Sequence, residues 1–163
     1  VAGWPVLGWL ARCQNTLFFE GKGGRAAEQI KVMQQHLHAG KSLILYPEGT
    51  STAGEAVLPF KSSLFKAAEL AEHQDHDDIT VQAVTIAYTS YRGQPMQQAQ
   101  RDLYAWYGDM PFASHFAKML SAKGCEVELH FHKPVKVSEF ENRKALAAHC
   151  QQQVAGGLLK ATT

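Results

Sequence analysis

The sequence predicts an α/β domain in which a central, mainly parallel or mixed sheet is flanked by helices. Three features support this class: short apolar runs typical of buried strands, segments with helical periodicity between them, and short connecting stretches. The chain has 163 residues, of which 45% are hydrophobic and 19% are charged. This length and composition fit one domain with a substantial core.

The first half of the chain is predicted to alternate between strand and helix. Residues 16–19 form an apolar, aromatic run that we interpret as a buried strand, and a helix follows over about residues 25–39. One face of that helix collects the apolar side chains Ala26, Ile30, Met33 and Leu37, and Gly40 ends it. Residues 42–46 are a second apolar run, predicted to be a buried strand that ends in a turn at residues 47–50.

The second half is predicted to continue this alternation. Ser62 or Ser63 caps a helix that runs to about Glu72, and Ser138 with Glu141 forms a capping box for the last helix. The other predicted elements are, in order, a polar loop at residues 73–78, a strand at 80–88, an irregular stretch at 91–101, a helix at 111–121 and a strand at 126–132.

Charge and composition exclude several functional classes. With 16 basic and 15 acidic residues, the net charge of +1 provides no broad basic surface, so a nucleic-acid partner is not expected. The chain lacks the ~20 consecutive apolar residues of a membrane-spanning helix. Cys13, Cys125 and Cys150 are an odd number of cysteines without metal-ligand spacing, which indicates reduced thiols in a protein that faces the cytosol.

Two histidines form a weaker candidate site. His130 and His132 alternate along a predicted strand, so both point to one face, as a pair of metal ligands would. Because no third ligand is near them in sequence, packed or surface histidines are the favoured interpretation, and no metal is expected.

The clearest chemical candidate is the turn Leu-Tyr-Pro-Glu-Gly-Thr at residues 45–50, with Phe-Lys-Ser-Ser at 60–63. A strand ending here would present the Glu48 carboxylate and the Thr50 hydroxyl where open α/β sheets bind ligands. Gly49 permits close approach to a ligand, and Lys61 precedes a helix start that favours an anion. A polyol phosphate suits this set, with Glu48 binding a hydroxyl or orienting a cation. The alternative is an ordinary turn.

Leu-Tyr-Pro-Glu-Gly-Thr closely resembles the Phe-Pro-Glu-Gly-Thr block of the 1-acyl-sn-glycerol-3-phosphate acyltransferases, the lysophosphatidate or lysophospholipid acyltransferase family. Further stretches resemble other parts of this family in the same order along the chain: residues 3–8, 16–20, 57–61, 81–86, 106–109 and 127–134. The resemblance covers nearly the whole chain and implies a glycerolipid acyltransferase-like fold.

The resemblance implies acyl transfer from acyl-CoA or acyl carrier protein to the free hydroxyl of a lysophospholipid, converting lysophosphatidate to phosphatidate without a metal or redox cofactor. In the family, the His of a His-x-x-x-x-Asp motif is the general base. We expect that motif upstream of Val1, with residues 1–163 as an N-terminally truncated acyltransferase domain that is inactive alone. His73 and Asp78 have the motif's spacing but follow the Glu-Gly-Thr block, and we interpret them as a coincidence.

The residues expected to bind the acceptor are Glu48, Gly49 and Thr50, together with the cations Lys22, Arg25 and Lys61. Two positions depart from the family pattern: Gly21 stands where the second block has Arg, and Ala83 where the fourth block has Pro. The lost Arg leaves open an acceptor such as lyso-ornithine lipid, and the missing motif leaves open a non-catalytic lipid-binding module. The implied place of action is a membrane surface, on the cytoplasmic face of the bacterial inner membrane.

Overall fold

Helices and strands are distributed along the residues that the computed structural model describes, namely 8–9, 13–16, 26–75 and 79–163. The α-helices are α1 (Ala26–His38), α2 (Lys66–Asp75), α3 (Gln98–Arg101), α4 (Phe112–Ser121) and α5 (Arg143–Thr162). The strands are β1 (Thr80–Val81), β2 (Val84–Tyr91), β3 (Gln94–Pro95), β4 (Glu126–Phe131) and β5 (Val135–Lys136). Among these described helices, none is long and apolar enough to cross a bilayer.

Most elements lie where the apolar periodicity of the sequence predicted them. The predicted helices at residues 25–39 and 111–121 form as α1 and α4, and the strand at 126–132 forms as β4. The strand predicted at 80–88 is divided into β1 and β2, because β1 pairs with β5 whereas β2 pairs with β4. Helix α2 continues to Asp75, so the polar loop predicted from residue 73 begins later.

The described strands pair in two small antiparallel sheets, ordered β3–β2–β4 and β1–β5. A hairpin at Arg92 and Gly93, with φ angles of 53° and 73°, connects β2 to β3. These sheets and their flanking helices confirm the mixed α/β class. The expected central, mainly parallel or mixed sheet is corrected, because the described strands pair antiparallel in two small sheets. The tight hairpin imposes antiparallel pairing on one side of β2, and β4 returns antiparallel on the other.

The prediction of a buried strand at residues 42–46 is wrong. No strand is assigned there, and the side chains of Ile44 and Tyr46 are 84% and 75% exposed. The apolar run indicated burial, but a strand also requires a neighbouring strand to satisfy its backbone groups, and sequence alone does not supply that partner. The buried strand predicted at residues 16–19 stays a prediction, because residues 17–19 lie outside the described residues.

The main core lies where α5 packs against the 3₁₀ turn Ser62–Phe65, with Val81 of β1 and Val135 of β5 at its edge. Leu146 is fully buried at its centre, with Phe65 and Val137 around it. Farther along α5, Gly157 permits a close approach to β2, because a Cβ at this position would collide with the hydroxyl of Thr85. Helix α5 and β2 therefore pack tightly against each other.

The helix starts differ from the capping predictions. Ser62 and Ser63 lie inside the 3₁₀ turn, and Lys61 precedes it without a side-chain cap. At α5 the cap is Asn142, whose Oδ1 accepts hydrogen bonds from the backbone N–H groups of Lys144 (2.9 Å) and Ala145 (3.1 Å). Ser138 instead belongs to the 3₁₀ turn Val137–Glu139, so the predicted capping box starts the helix too early.

Glu69 on α2 is expected to stabilise the fold in a pH-dependent way. Its carboxylate accepts a hydrogen bond from the backbone N–H of Arg143 (3.0 Å) and pairs with Lys66 Nζ (3.1 Å). Burial raises the pKa of Glu69, but these hydrogen bonds and the two positive charges outweigh it, so the pKa lies below the ordinary value of 4.5. The ionised form therefore stabilises the fold above that value, and the stabilisation is lost as pH falls through the lower pKa of the folded state.

We expect Glu69→Gln to lower the free energy of unfolding by about 1–2 kcal/mol near neutral pH. Urea denaturation should show the difference from wild type shrinking as the medium is acidified below the ordinary Glu pKa of 4.5. Glu141→Gln, at an exposed position, is the matched control and should have little effect. A Glu69→Gln effect that persists unchanged in acid would contradict this assignment.

Cys150 is expected to be protected from thiol reagents in the folded protein. The side chain is 3% exposed in the core, and burial raises the pKa of its thiol to about 11. The thiolate is the reactive form. Near pH 8, iodoacetamide should therefore modify the exposed Cys13 first and reach Cys150 only after unfolding, as peptide mass spectrometry can measure. Equal labelling rates of the two thiols in the native state would refute this expectation.

Candidate functional site

A tight turn at Tyr46–Gly49 positions the candidate site. The N–H of Gly49 donates a hydrogen bond to the carbonyl of Tyr46 at 3.1 Å, which closes a β-turn around Pro47 and Glu48. Proline at the second position fixes the φ angle that such turns require, and glycine is favoured at the fourth. Gly49 has a φ of 66°, in the left-handed region that other residues rarely adopt. The sequence Tyr-Pro-Glu-Gly therefore folds locally as the turn predicted from it.

The loop that follows returns to the same turn. The backbone N–H of Leu58 donates to Oε2 of Glu48 at 3.1 Å, and the N–H of Lys61 donates to the carbonyl of Pro47 at 2.8 Å. These two bonds close the loop formed by residues 50–60. Glu48 is half-buried, and only its Oε2 is engaged by the loop. One carboxylate oxygen thus fixes the loop. Among the described residues Oε1 has no hydrogen-bond partner, so it can accept a hydrogen bond from a ligand.

Lys61 packs directly against Gly49. A Cβ built on Gly49 would lie 2.7 Å from Lys61 Nζ and 3.0 Å from its Cδ and Cε. The lysine side chain therefore occupies the space that any other residue at position 49 would fill. Within the described part of the chain, Nζ of Lys61 forms no ion pair. An exposed positive charge is consequently held beside the turn that carries Glu48.

Gln151 connects this loop to the core, and sequence reasoning missed it. Its Oε1 accepts a hydrogen bond from the backbone N–H of Phe60 at 3.3 Å, and the ring of Phe60 stacks on Phe65 at 6.5 Å between centroids. The segment preceding Lys61 is thereby attached to α5. Gln151 stands in a run of three glutamines, a pattern that by itself indicates only a polar helix face.

The structure brings together three of the six predicted site residues, namely Glu48, Gly49 and Lys61. Thr50 follows the turn as an exposed residue. Lys22 and Arg25 lie outside the described residues, so their part in the site stays a prediction. The turn itself is preserved although the predicted strand before it is not assigned, because its own hydrogen bonds and those of residues 58 and 61 hold it.

The arrangement of Glu48 and Lys61 can bind polar and charged groups of a ligand. A half-buried carboxylate with one available oxygen can orient a hydroxyl or an ammonium group, and the neighbouring ammonium of Lys61 can bind an anion. The site therefore suits a small polar group that carries a hydroxyl and a charge. Glu48 also has a purely structural role as the acceptor for Leu58, and the two roles make different predictions for Glu48→Gln.

Residues 1–88, more than half of the chain, match the Acyltransferase family model. The chain is 41% identical to a lyso-ornithine lipid O-acyltransferase of Rhodobacter capsulatus, over 97% of this chain and 55% of that protein. It is 37% identical to the enzyme of the same name from Brucella abortus (94% and 58% covered). It is 25% identical to a 1-acyl-sn-glycerol-3-phosphate acyltransferase of Neisseria gonorrhoeae (94% and 56% covered). The chain thus spans about half the length of these relatives.

The fold is similar to that of a solved protein. The crystal structure of the 1-acyl-sn-glycerophosphate (LPA) acyltransferase PlsC from Thermotoga maritima superposes with a TM-score of 0.59. The alignment covers 98% of this chain and 52% of that protein, at 21% sequence identity. At this level of identity the likeness establishes the fold, and it confirms the glycerolipid acyltransferase-like architecture expected from the sequence.

Proposed function

This chain belongs to the Acyltransferase family, and we propose that it is the acceptor-binding part of an enzyme that transfers an acyl group to the free hydroxyl of a lysolipid. The observation that carries the proposal is the packing of Lys61 on Gly49, beside the turn that holds Glu48. Our principal acceptor is lysophosphatidate, whose phosphate and glycerol hydroxyl match a cation and a carboxylate. The product is then phosphatidate, in phospholipid biosynthesis.

Each residue has an assigned role in the proposal. Oε1 of Glu48 orients a hydroxyl of the acceptor or a nearby cation, and Lys61 binds the phosphate. Gly49 allows the acceptor to approach the backbone, and Thr50 supplies a hydroxyl. Lys22 and Arg25 are proposed as additional cations for the head group.

The proposed reaction is acyl transfer from a thioester, either acyl-CoA or acyl carrier protein. The acceptor oxygen attacks the thioester carbon, the C–S bond breaks, and the acceptor proton passes to a general base. We assign the base to the His of the family's His-x-x-x-x-Asp motif. Such chemistry requires no metal or redox cofactor. Because lysolipids reside in bilayers, we place the enzyme at a membrane surface, on the cytoplasmic face of the inner membrane of a bacterium.

Lyso-ornithine lipid is the second candidate acceptor, and the identities of the relatives support it. The relatives named for that acceptor are 32–41% identical to this chain, whereas those named for 1-acyl-sn-glycerol-3-phosphate are 25% identical. The ornithine side chain carries an ammonium group, for which the available oxygen of Glu48 is a suitable partner. In this case Lys61 would bind the carboxylate of the head group.

The experiment is an acyl-transfer assay on the purified full-length gene product. Labelled acyl-CoA and acyl carrier protein are offered in turn with lysophosphatidate and with lyso-ornithine lipid, and the products are identified by mass spectrometry. Formation of a diacyl product from either acceptor supports the proposal and identifies that acceptor. Binding of lysolipid without transfer from any donor would reject the enzyme in favour of a non-catalytic lipid-binding module.

A further inference from the structure

A polar cavity lies between the end of β4 and the C-terminal half of α5. It has a volume of about 420 Å³, within the range of small-molecule sites. His130 and Lys133 contribute from the strand side, and Gln153 and Lys160 contribute from the helix. The proposed acceptor residues Glu48 and Lys61 are not among its lining residues, so this cavity is separate from the acceptor turn.

The lining of the cavity is strongly biased in charge. It contains two lysines, two histidines and two glutamines, and the described lining residues include neither Asp nor Glu. This bias contrasts with the nearly equal numbers of acidic and basic residues, 15 and 16, in the whole chain. The concentration of N–H donors and positive charge without a carboxylate favours an anion.

A buried hydrogen-bond network forms the floor of the cavity. The hydroxyl of Thr85 donates to the carbonyl of Val154 at 3.1 Å, so it accepts a hydrogen bond from Nε2 of His132 at 2.9 Å. The rings of His130 and His132 lie 4.5 Å apart. Gly157 makes this packing possible, since a Cβ there would meet the Thr85 hydroxyl and approach His132 Nε2 to 3.0 Å.

Charged groups that line the cavity affect the pKa of His132. Burial lowers the pKa of His132, and the charges of His130 and Lys160 lower it further, although a hydrogen bond with the side chain of Gln153 opposes them. His130 from the strand and Lys160 from the helix both line the cavity beside this buried ring. Lys160 lies in the last turn of α5, where its charge offsets the helix dipole that would otherwise disfavour an anion.

We propose that this cavity binds the phosphate group of an organic phosphate through Lys133, Lys160 and His130, with Gln153 as an additional donor. A phosphate has three acceptor oxygens and suits this number of donors better than a carboxylate does. The volume of about 420 Å³ leaves room for the organic group that carries the phosphate. The phosphate can belong to a soluble nucleotide or to the head group of a bilayer phospholipid. The site does not depend on the proposed acyl transfer.

The test measures binding of AMP by calorimetry, and binding of vesicles of phosphatidylcholine with or without phosphatidylglycerol by co-sedimentation. Two variants of the chain are compared with wild type: Lys133→Ala with Lys160→Ala, and the control Lys144→Ala, which removes an exposed lysine at the other end of α5. An exposed charge pair accounts for up to about fivefold in affinity, so loss of both lysines should weaken binding by about 5- to 25-fold. The control should remain within about twofold of wild type.

The two probes separate the two sources of phosphate. Lysine-dependent binding of AMP assigns the site to a soluble organic phosphate, and lysine-dependent binding that requires phosphatidylglycerol assigns it to a bilayer lipid. Circular dichroism of each variant checks that the fold is retained. Wild-type binding by the double variant, an equal loss in Lys144→Ala, or no binding of either probe by the wild type would overturn the proposal.

Discussion

Glu48→Gln is expected to lower kcat/KM for the lysolipid at least about tenfold in the full-length protein, while the thermal stability stays unchanged. The amide keeps an oxygen that can accept the hydrogen bond from the Leu58 N–H, so the loop remains closed. The change removes the charge and replaces the ligand-accepting Oε1 by an NH2 donor. A hydrogen bond to a charged group contributes about 1.5–3 kcal/mol, and about 1.4 kcal/mol corresponds to a tenfold change in rate. The KM for the acyl donor should change little.

Two further variants separate ligand binding from loop closure. Glu55→Gln removes an exposed carboxylate from the same loop and should leave both kinetics and stability near wild type. Glu48→Ala removes the acceptor for Leu58 as well, so it should also lower the free energy of unfolding by about 1–2 kcal/mol. Steady-state kinetics and melting curves of the three variants measure these effects. Unchanged kinetics in Glu48→Gln would show that the carboxylate only closes the loop.

Gly49→Ala should be more damaging than Glu48→Gln. The φ of 66° imposes a penalty of about 1–2 kcal/mol on any residue with a Cβ. The new methyl group would also lie 2.7 Å from Lys61 Nζ, so the lysine must move away from the turn. We therefore expect a loss of stability and a fall of kcat/KM for the lysolipid well beyond tenfold.

Gly40→Ala is the matched control for this prediction. Gly40 has a nearly equal φ of 68°, but a Cβ there meets no atom of the described residues within 4 Å. It should therefore lose a similar amount of stability through backbone strain and keep its activity when assayed well below its melting temperature. The difference in kcat/KM between the two alanine variants isolates the displacement of Lys61. Equal activities at matched folded fractions would contradict a role for the contact between Gly49 and Lys61.

The sequence was informative where one local property decides the structure. Helices α1 and α4 follow from apolar residues at helical spacing, and β4 follows from its alternation. Residues 42–46 show the limit of this reasoning, since an apolar run does not reveal whether a strand will pair beside it. The start of α5 shows another limit: both Ser138 and Asn142 are good caps, and the 3₁₀ turn decides between them.

The residues of the candidate site likewise include some that the sequence could predict and some that it could not. Pro47, Glu48 and Gly49 were identifiable because a turn of four residues is a local structure with known preferences. Lys61 was identifiable because it precedes a helix. Gln151 was not, since it is 91 residues from Phe60 in sequence and its contact exists only after α5 packs on the loop. The convergence of Lys160 with His130 likewise depends on tertiary packing.

The most direct test of the acceptor site is a double-mutant cycle between Glu48→Gln and Lys61→Met in the full-length protein, measured as kcat/KM for the lysolipid. If both side chains bind one acceptor beside Gly49, removing the second should cost less once the first is lost. We expect a coupling energy of at least about 1 kcal/mol, with kcat/KM reduced at least about tenfold in Glu48→Gln and at least about fivefold in Lys61→Met. Losses that add to within about 0.5 kcal/mol, or single variants that are both as active as wild type, would contradict it.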